Sequence, residues 1–466
     1  MSILLDILLK GLRSREAQPL DYVELHAEDV VQMAIDAREA GLEVLSQRVE
    51  AGHSARVLHN GAWGFAVGTS SSAVASTISE AAKAARASRS IRGDFKVSLA
   101  DVRPIKKKIV LRPRIPLHSV DPTDKVRFSK GLCKKVVASD VRIATCKTIY
   151  REVTGKRYLA TSEGTSVEWD QSLLYLMASA SGKDGGIPAA SREEVAAVAT
   201  GWEHLDKSNS IDDIAARLAR KMRTQMDGIQ CKRGSFPCVL GPKVVGILAH
   251  EALGHLAEAD YFSSGAFYGL EGKEVAPDFI TMVDSPSLKG SFGDVVVDDE
   301  GSPPTKVTLI AKGMLGEQLT NREWAGKLGT KPTGNARAET YRVPPIIRMR
   351  NTYIERGDMS LEELLEGVKF GYYCADVRGG QAESNSSFQV GIQECFQIED
   401  GNLTKPVRDL AISGVAVKSL MLIDGLGKDF GIESSYCGKM GQSAATSDGG
   451  PHMRLKKGAI IFGGAG

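Results

Sequence analysis

Apolar and polar positions change period several times along this chain. Tyr22 to Ala27 alternates, as a strand with one buried face does. Ala55 to His59 and Ala62 to Val67 flank Asn60-Gly61, which predicts a hairpin. Asn-Gly supplies the positive φ angles that a two-residue type I′ turn requires. Leu5, Leu8, Leu9 and Leu12 fall on one face of a predicted first helix. Ala73 to Ala87 reads as an alanine-rich helix with Ile78, Ala81, Ala82 and Ala85 at helical spacing. Val195 to Val198 is a short apolar stretch. Ile211 to Met226 predicts a helix opened by Asp212 and Asp213 and ended by Gly228.

The pattern then shifts. Lys232-Arg233-Gly234 reads as a linker, Ser235 to Leu240 as a strand, and Gly241-Pro242 as the start of a helix, with proline at its first position. From about residue 275 the chain is rich in strands and turns: Thr281 to Asp284, Lys306 to Ala311, Gly391 to Ile398 and Lys456 to Phe462. A chain of 466 residues exceeds one ordinary core. The expected fold class is therefore α+β in two domains. Residues 1–230 form a mixed α/β domain, and residues 231–466 a β-rich pseudo-barrel flanked by helices.

Composition narrows the function classes. With 59 basic and 57 acidic residues the net charge is +2, which gives no support to direct nucleic-acid binding through a broad basic face. Arg103 to Lys108 is locally basic and reads as a solvated connector. The apolar segment Ile3 to Leu9 lacks a preceding basic residue and contains Asp6, unlike an export signal. No run of about 18 apolar residues predicts a membrane span. Seven cysteines, an odd number, suit a reducing cytoplasm rather than a disulfide framework.

The candidate chemistry lies in His250-Glu251-Ala252-Leu253-Gly254-His255. Two histidines bracketing a glutamate in an apolar stretch are a candidate metal site. Their spacing is one residue longer than H-E-x-x-H, so a regular helix would hold them roughly 140° apart. A π-type widening near Gly254 would bring them together. A third ligand must come from elsewhere: Glu258, Cys437 or His452. Cys437 sits in a glycine-bearing loop, where Lys439 is positioned to stabilise a thiolate.

Further stretches carry a resemblance. Arg56-Val57-Leu58, Gly61 to Ala66, His250 to Asp260, Asp298 to Gly301, Leu309-Ile310, Thr333 to Arg337, Arg348 to Thr352 and Cys437-Gly438-Lys439 follow one another in family order. In these the chain resembles the TldD/PmbA family of zinc-dependent peptidases, also described as modulators of DNA gyrase. The resemblance implies that His250, His255 and Cys437 hold Zn2+ and that Glu251 is the catalytic carboxylate. It also implies peptide substrates, unfolded or short. Assembly is expected as a homodimer or as a heterodimer with a PmbA/TldE-type paralogue that lacks the metal motif. In that scheme Glu251 takes a proton from a metal-activated water and delivers it to the leaving amine. A β-rich domain suits binding an extended peptide as an added strand. Thr333 to Arg337 and Arg348 to Asn351 are either substrate loops or structural ones.

Three other readings compete. A scaffold or regulatory subunit would hold the metal without peptidase activity. A cysteine hydrolase would pair Cys437 with His452. A nucleotide site would use Gly425-Leu426-Gly427, although the full G-x-G-x-x-G spacing is missing.

Overall fold

The computed structural model describes residues 3–70, 73–92, 96–262, 265–383 and 385–464. Its arrangement is two-domain α+β. A seven-stranded sheet comes from the first part of the chain, and six- and nine-stranded sheets with a two-stranded ribbon come from the rest. The first sheet comprises β1 (Tyr22–Arg38), β2 (Leu42–His59), β3 (Ala62–Gly68), β4 (Lys106–Ile109), β5 (Ile143–Thr161), β6 (Ser166–Asp184) and β7 (Ile187–Val198). Their order is β3-β2-β1-β5-β6-β4, with β7 also along β6. The β2–β3 hairpin turns at Asn60 and Gly61, whose φ angles of 52° and 75° are those a type I′ turn demands.

The period of two decides what each face of this sheet meets. Val23, Leu25 and Ala27 of β1 pack under α1 (Ile3–Gly11) and α2 (Val74–Arg92). Met33 and Ile35, on the same face, lie in a core shared with α3 (Pro122–Ala138) and α4 (Ile211–Asp227). The intervening Glu24, His26 and Glu28 are buried on the opposite, polar face. There Glu24 meets His26 at 3.0 Å, and Arg56 donates to Glu300 of the second part at 2.6 Å. Helix α2 approaches β3 closely at Gly64, where a Cβ would lie 1.9 Å from the Ala81 carbonyl oxygen. Helix α4 opens with a reciprocal capping box between Ser210 and Asp213.

Some expectations are corrected. Of the basic segment, Arg103 to Ile105 is irregular as expected of a connector, whereas Lys106 to Lys108 belong to β4, parallel to β6; the lysines remain exposed while the backbone pairs. The stretch 456–462 forms a strand only from Ile461, because Gly458, at φ 100°, turns the chain first. The strand predicted over 235–240 is confined to Cys238–Leu240, following Pro237, which has no N–H to contribute to a ladder. No helix among the described residues is long and apolar enough to cross a membrane.

Two elements position the histidines and Cys437. Helix α5 (Pro242–Ile247) starts beyond the Cys238–Leu240 strand, which joins the nine-stranded sheet beside Phe370–Ala382. The hairpin of Gly431–Lys439 with Gln442–Gly450 lies at the edge of the six-stranded sheet. Helix α5 rests directly on that hairpin: a Cβ on Gly246 would stand 2.7 Å from the Gly449 nitrogen.

Candidate metal centre

Beyond α5 the helix widens. Leu248–Gly254 is π-helical, and the His255 N–H donates to the His250 carbonyl oxygen five residues back. One widened turn therefore stacks His250 and His255 on one side, where an α-helix would separate them. Their rings stand edge to face with centroids 5.1 Å apart. Gly254 packs closely on Met349: a Cβ there would stand 2.1 Å from its sulfur, which would have to shift.

Cys437 reaches the same place from the hairpin, where it faces Ala444 across the strand pair. Its Sγ lies 3.4 Å from His255 Nε2. One ligand atom each from His250, His255 and Cys437 falls within 4.8 Å of the others. That separation and the donor set, two imidazoles and a thiolate, fit a tetrahedral zinc site with one position left for water.

The surroundings order this donor set. Glu258 Oε2 lies 2.8 Å from His255 Nδ1 and accepts from Lys439 Nζ at 3.0 Å. A carboxylate on Nδ1 leaves the Nε2 lone pair free to ligate. Glu258 thus lies behind His255, bonded to its Nδ1, and outside the group formed by His250, His255 and Cys437. Burial would raise its carboxyl, but the charges of His255 and Lys439 hold it at about 2. Lys439 serves the carboxylates of Glu258 and Asp260 and the Ile347 carbonyl, rather than the thiolate. The thiolate is favoured instead by the histidines. Against burial, His250 and His255 draw the Cys437 thiol down to about 4. Burial likewise opposes charge on the imidazoles, yet Cys437 with Glu251 brings His250 up to about 9, and Glu258 with Cys437 brings His255 up to about 10. This is a cluster poised to exchange protons for a cation.

Two residues next to the cluster escaped the sequence reading in these positions. Arg348, fully buried, donates to the backbone carbonyls of Cys437 and Gln442 and so anchors the end of the hairpin. Asp448, on the strand beside Cys437, is pushed up to about 7 by burial, against the pull of His250. Arg348 was legible only as part of a loop motif, and Asp448 carried no signal of its own. Asn335 and Arg350, from the two motif loops, meet on Asp284 at 3.0 and 2.7 Å in a buried structural network.

The competing pairings are not assembled. His452 is engaged by Asp429 at 2.6 Å and by the Tyr373 hydroxyl at 2.9 Å, whereas Cys437 faces His255. Gly425 and Leu426 lie within a strand, Ile423–Leu426, and not in a loop opening a helix.

Comparison with known proteins gives the family. Models of the PmbA/TldA metallopeptidase family match as domain 1 at residues 23–88, the central domain at 115–225 and the C-terminal domain at 233–461. A zinc metalloprotease TldD homolog of Saccharolobus solfataricus is 32% identical, the match covering 97% of this chain and 98% of that protein. A metalloprotease of Methanothermobacter thermautotrophicus is 31% identical, with 95% of each chain covered. Among solved structures, a modulator of DNA gyrase from Thermotoga maritima superposes with a TM-score of 0.80 at 18% identity, covering 98% of this chain and 99% of that one. TldE from Thermococcus kodakarensis gives 0.78 at 21% identity, covering 98% and 100%. These two likenesses concern the fold; the family follows from the domain models and the sequence relatives. The chain belongs to the PmbA/TldA metallopeptidase family, on the TldD side of it.

Proposed function

We propose that this chain is a zinc-dependent peptidase acting on unfolded or short peptides, with His250, His255 and Cys437 as the ligands and Glu251 as general base. The observation that carries the reading is the convergence of the three ligand atoms within 4.8 Å, with Glu251 on the same widened turn. The names of the sequence relatives, metalloprotease and zinc metalloprotease, support it.

Bound zinc supplies a Lewis acid that brings a water towards a pKa of about 7. Glu251 follows His250 directly and is half-buried, so its carboxylate is within reach of solvent. It accepts the proton of the attacking water and returns it to the leaving amine. Glu258 keeps Nε2 of His255 turned to the site, and Cys437 contributes a negative charge that holds the cation. We place the protein in the cytoplasm, a reading its seven unpaired cysteines suit. It acts there as a homodimer or with a metal-lacking PmbA/TldE-type paralogue.

The test is metal analysis with peptide-degradation assays of wild type and Glu251→Gln, with and without a chelator. Wild type should hold about one zinc ion per chain and lose activity to the chelator. Glu251→Gln should keep zinc and lose hydrolysis. Retained hydrolysis would reject Glu251 as base, and a zinc-loaded but inert wild type, alone and with the paralogue, would make this a scaffold subunit.

A further inference from the structure

Between the polar face of the first sheet and the Cys437 hairpin lies a cavity of about 760 Å³. Tyr436 and Ala444 line it, the first adjacent to Cys437 and the second across the strand pair from it. The cavity therefore extends to the strands that present the candidate ligand.

Most charges on its wall already have partners. Arg157 pairs with Glu28 at 2.8 Å and stands 3.6 Å from Asp299. Asp299 also accepts the Ala338 N–H at 2.8 Å. Arg151 pairs with Asp36 at 2.6 Å, and Asp170 with Lys156 at 2.8 Å. Arg48 lacks a carboxylate, but it is exposed and donates from Nε and Nη2 to Gln32 Oε1 at 3.1 and 2.9 Å.

Arg337 stands apart. It lines the cavity, yet it forms no ion pair among the described residues, and its hydrogen bond runs from Nη1 to the Met349 carbonyl at 2.9 Å. Burial and the neighbouring charge of Arg348 pull it down to about 10, so it stays cationic at neutral pH. The side chain is half-buried, and a guanidinium with a single carbonyl partner keeps most of its N–H donors free for a ligand entering the cavity. Its planar fork matches a carboxylate, which can accept two parallel N–H bonds.

We infer that the cavity is a peptide subsite in which Arg337 receives a carboxylate, either the α-carboxylate of a chain end or the side chain of Asp or Glu. The inference rests on the peptidase reading for its biological meaning, but the binding itself does not require turnover. Asp299, the acid acting most strongly on Arg337, is itself engaged by Arg157 and the Ala338 amide and forms no ion pair with Arg337. Arg337 would act on specificity and not on bond cleavage.

The test measures binding to the zinc-loaded full-length Glu251→Gln protein by fluorescence anisotropy. The probes are fluorescein-labelled penta-alanine as the free acid, the same peptide as its C-terminal amide, and an amide with a central glutamate. The free acid, the glutamate peptide or both should bind about tenfold more tightly than the plain amide, and which of them does identifies the source of the carboxylate. Adding Arg337→Gln should erase the preference while leaving affinity for the plain amide in place. Arg337→Lys keeps the charge without the fork and should retain a reduced preference, which guards against a folding defect in the glutamine variant. Equal affinity for all three peptides in the parent would overturn the inference, as would discrimination surviving in Arg337→Gln. Because no cleavage is read, a protein that proved inert as a peptidase would leave this result standing.

Discussion

Glu258 lies three residues after His255 and holds its Nδ1 at 2.8 Å, with Lys439 bound to the same carboxylate oxygen. One buried oxygen thus connects the helix that carries the histidines to the hairpin that carries Cys437. Glu258→Gln removes the charge that fixes the His255 tautomer. Its zinc affinity should fall by about 10- to 100-fold in a competitive chelator titration, as for other carboxylates behind a ligating histidine. Unchanged affinity would mean that packing alone orients the ring.

The contact of Gly254 with Met349 makes the widened turn sensitive to a single methyl group. Gly254→Ala should destabilise the protein by about 1–3 kcal/mol, because its Cβ would enter the space of the Met349 sulfur. Thermal unfolding of Gly254→Ala, Met349→Ala and the double variant should show a double loss smaller than the sum. Strict additivity would place the strain elsewhere.

Glu193 joins the first sheet to α4 and α5. It accepts from Lys221 at 2.5 Å and from Arg217 at 2.5 Å, with both its oxygens occupied. Burial would raise its carboxyl, but the charges of Lys243, Lys221 and Arg217 depress it to about 2. A depressed acid stabilises the fold above its unfolded pKa of about 4.3, and that contribution fades as pH falls towards 2. The stability gap between wild type and Glu193→Gln, taken from urea midpoints, should be widest above pH 5 and narrow steadily between pH 4 and pH 2. A gap independent of pH would dissociate Glu193 from acid sensitivity.

Metal removal should leave two imidazoliums and a thiolate at neutral pH, given values of about 9, 10 and 4 for His250, His255 and Cys437. Zinc binding at pH 7 should then release about two protons from the imidazoles, besides the fraction lost by a metal-bound water with a pKa of about 7. Calorimetry in buffers of different ionisation enthalpy reads this number. The imidazole share should vanish as the pH of the titration passes 10, leaving at most the proton of a metal-bound water, and a release still near two there would show that other groups supply the protons.

Much of this arrangement was legible where local chemistry is unambiguous. Asn60-Gly61 announced its hairpin, Asp212 and Asp213 their helix start, and the excess residue between His250 and His255 its widened turn. The long strands β5 and β6 were not, because their buried positions include Thr148, Glu152, Thr154 and Glu168, which break the apolar alternation. Those groups are satisfied in the fold, as when Lys125 donates to Glu152 at 2.7 Å, and such partners are invisible along the chain. Convergence of Cys437 on His255 depends on pairings 182 residues apart, which no local pattern encodes. Nor did spacing separate Cys437 from Glu258 and His452; their hydrogen bonds did.

Arg348 grips Cys437 by its carbonyl and leaves the thiol untouched. The backbone at this position is therefore held independently of the side chain it displays. A histidine or aspartate placed there would start from the same anchored backbone, since the anchor does not involve the side chain. Ligand softness selects among transition metals. Metal preference in this scaffold is thus separable from its architecture, and residue 437 is a natural point at which divergence or engineering can exchange one ion for another.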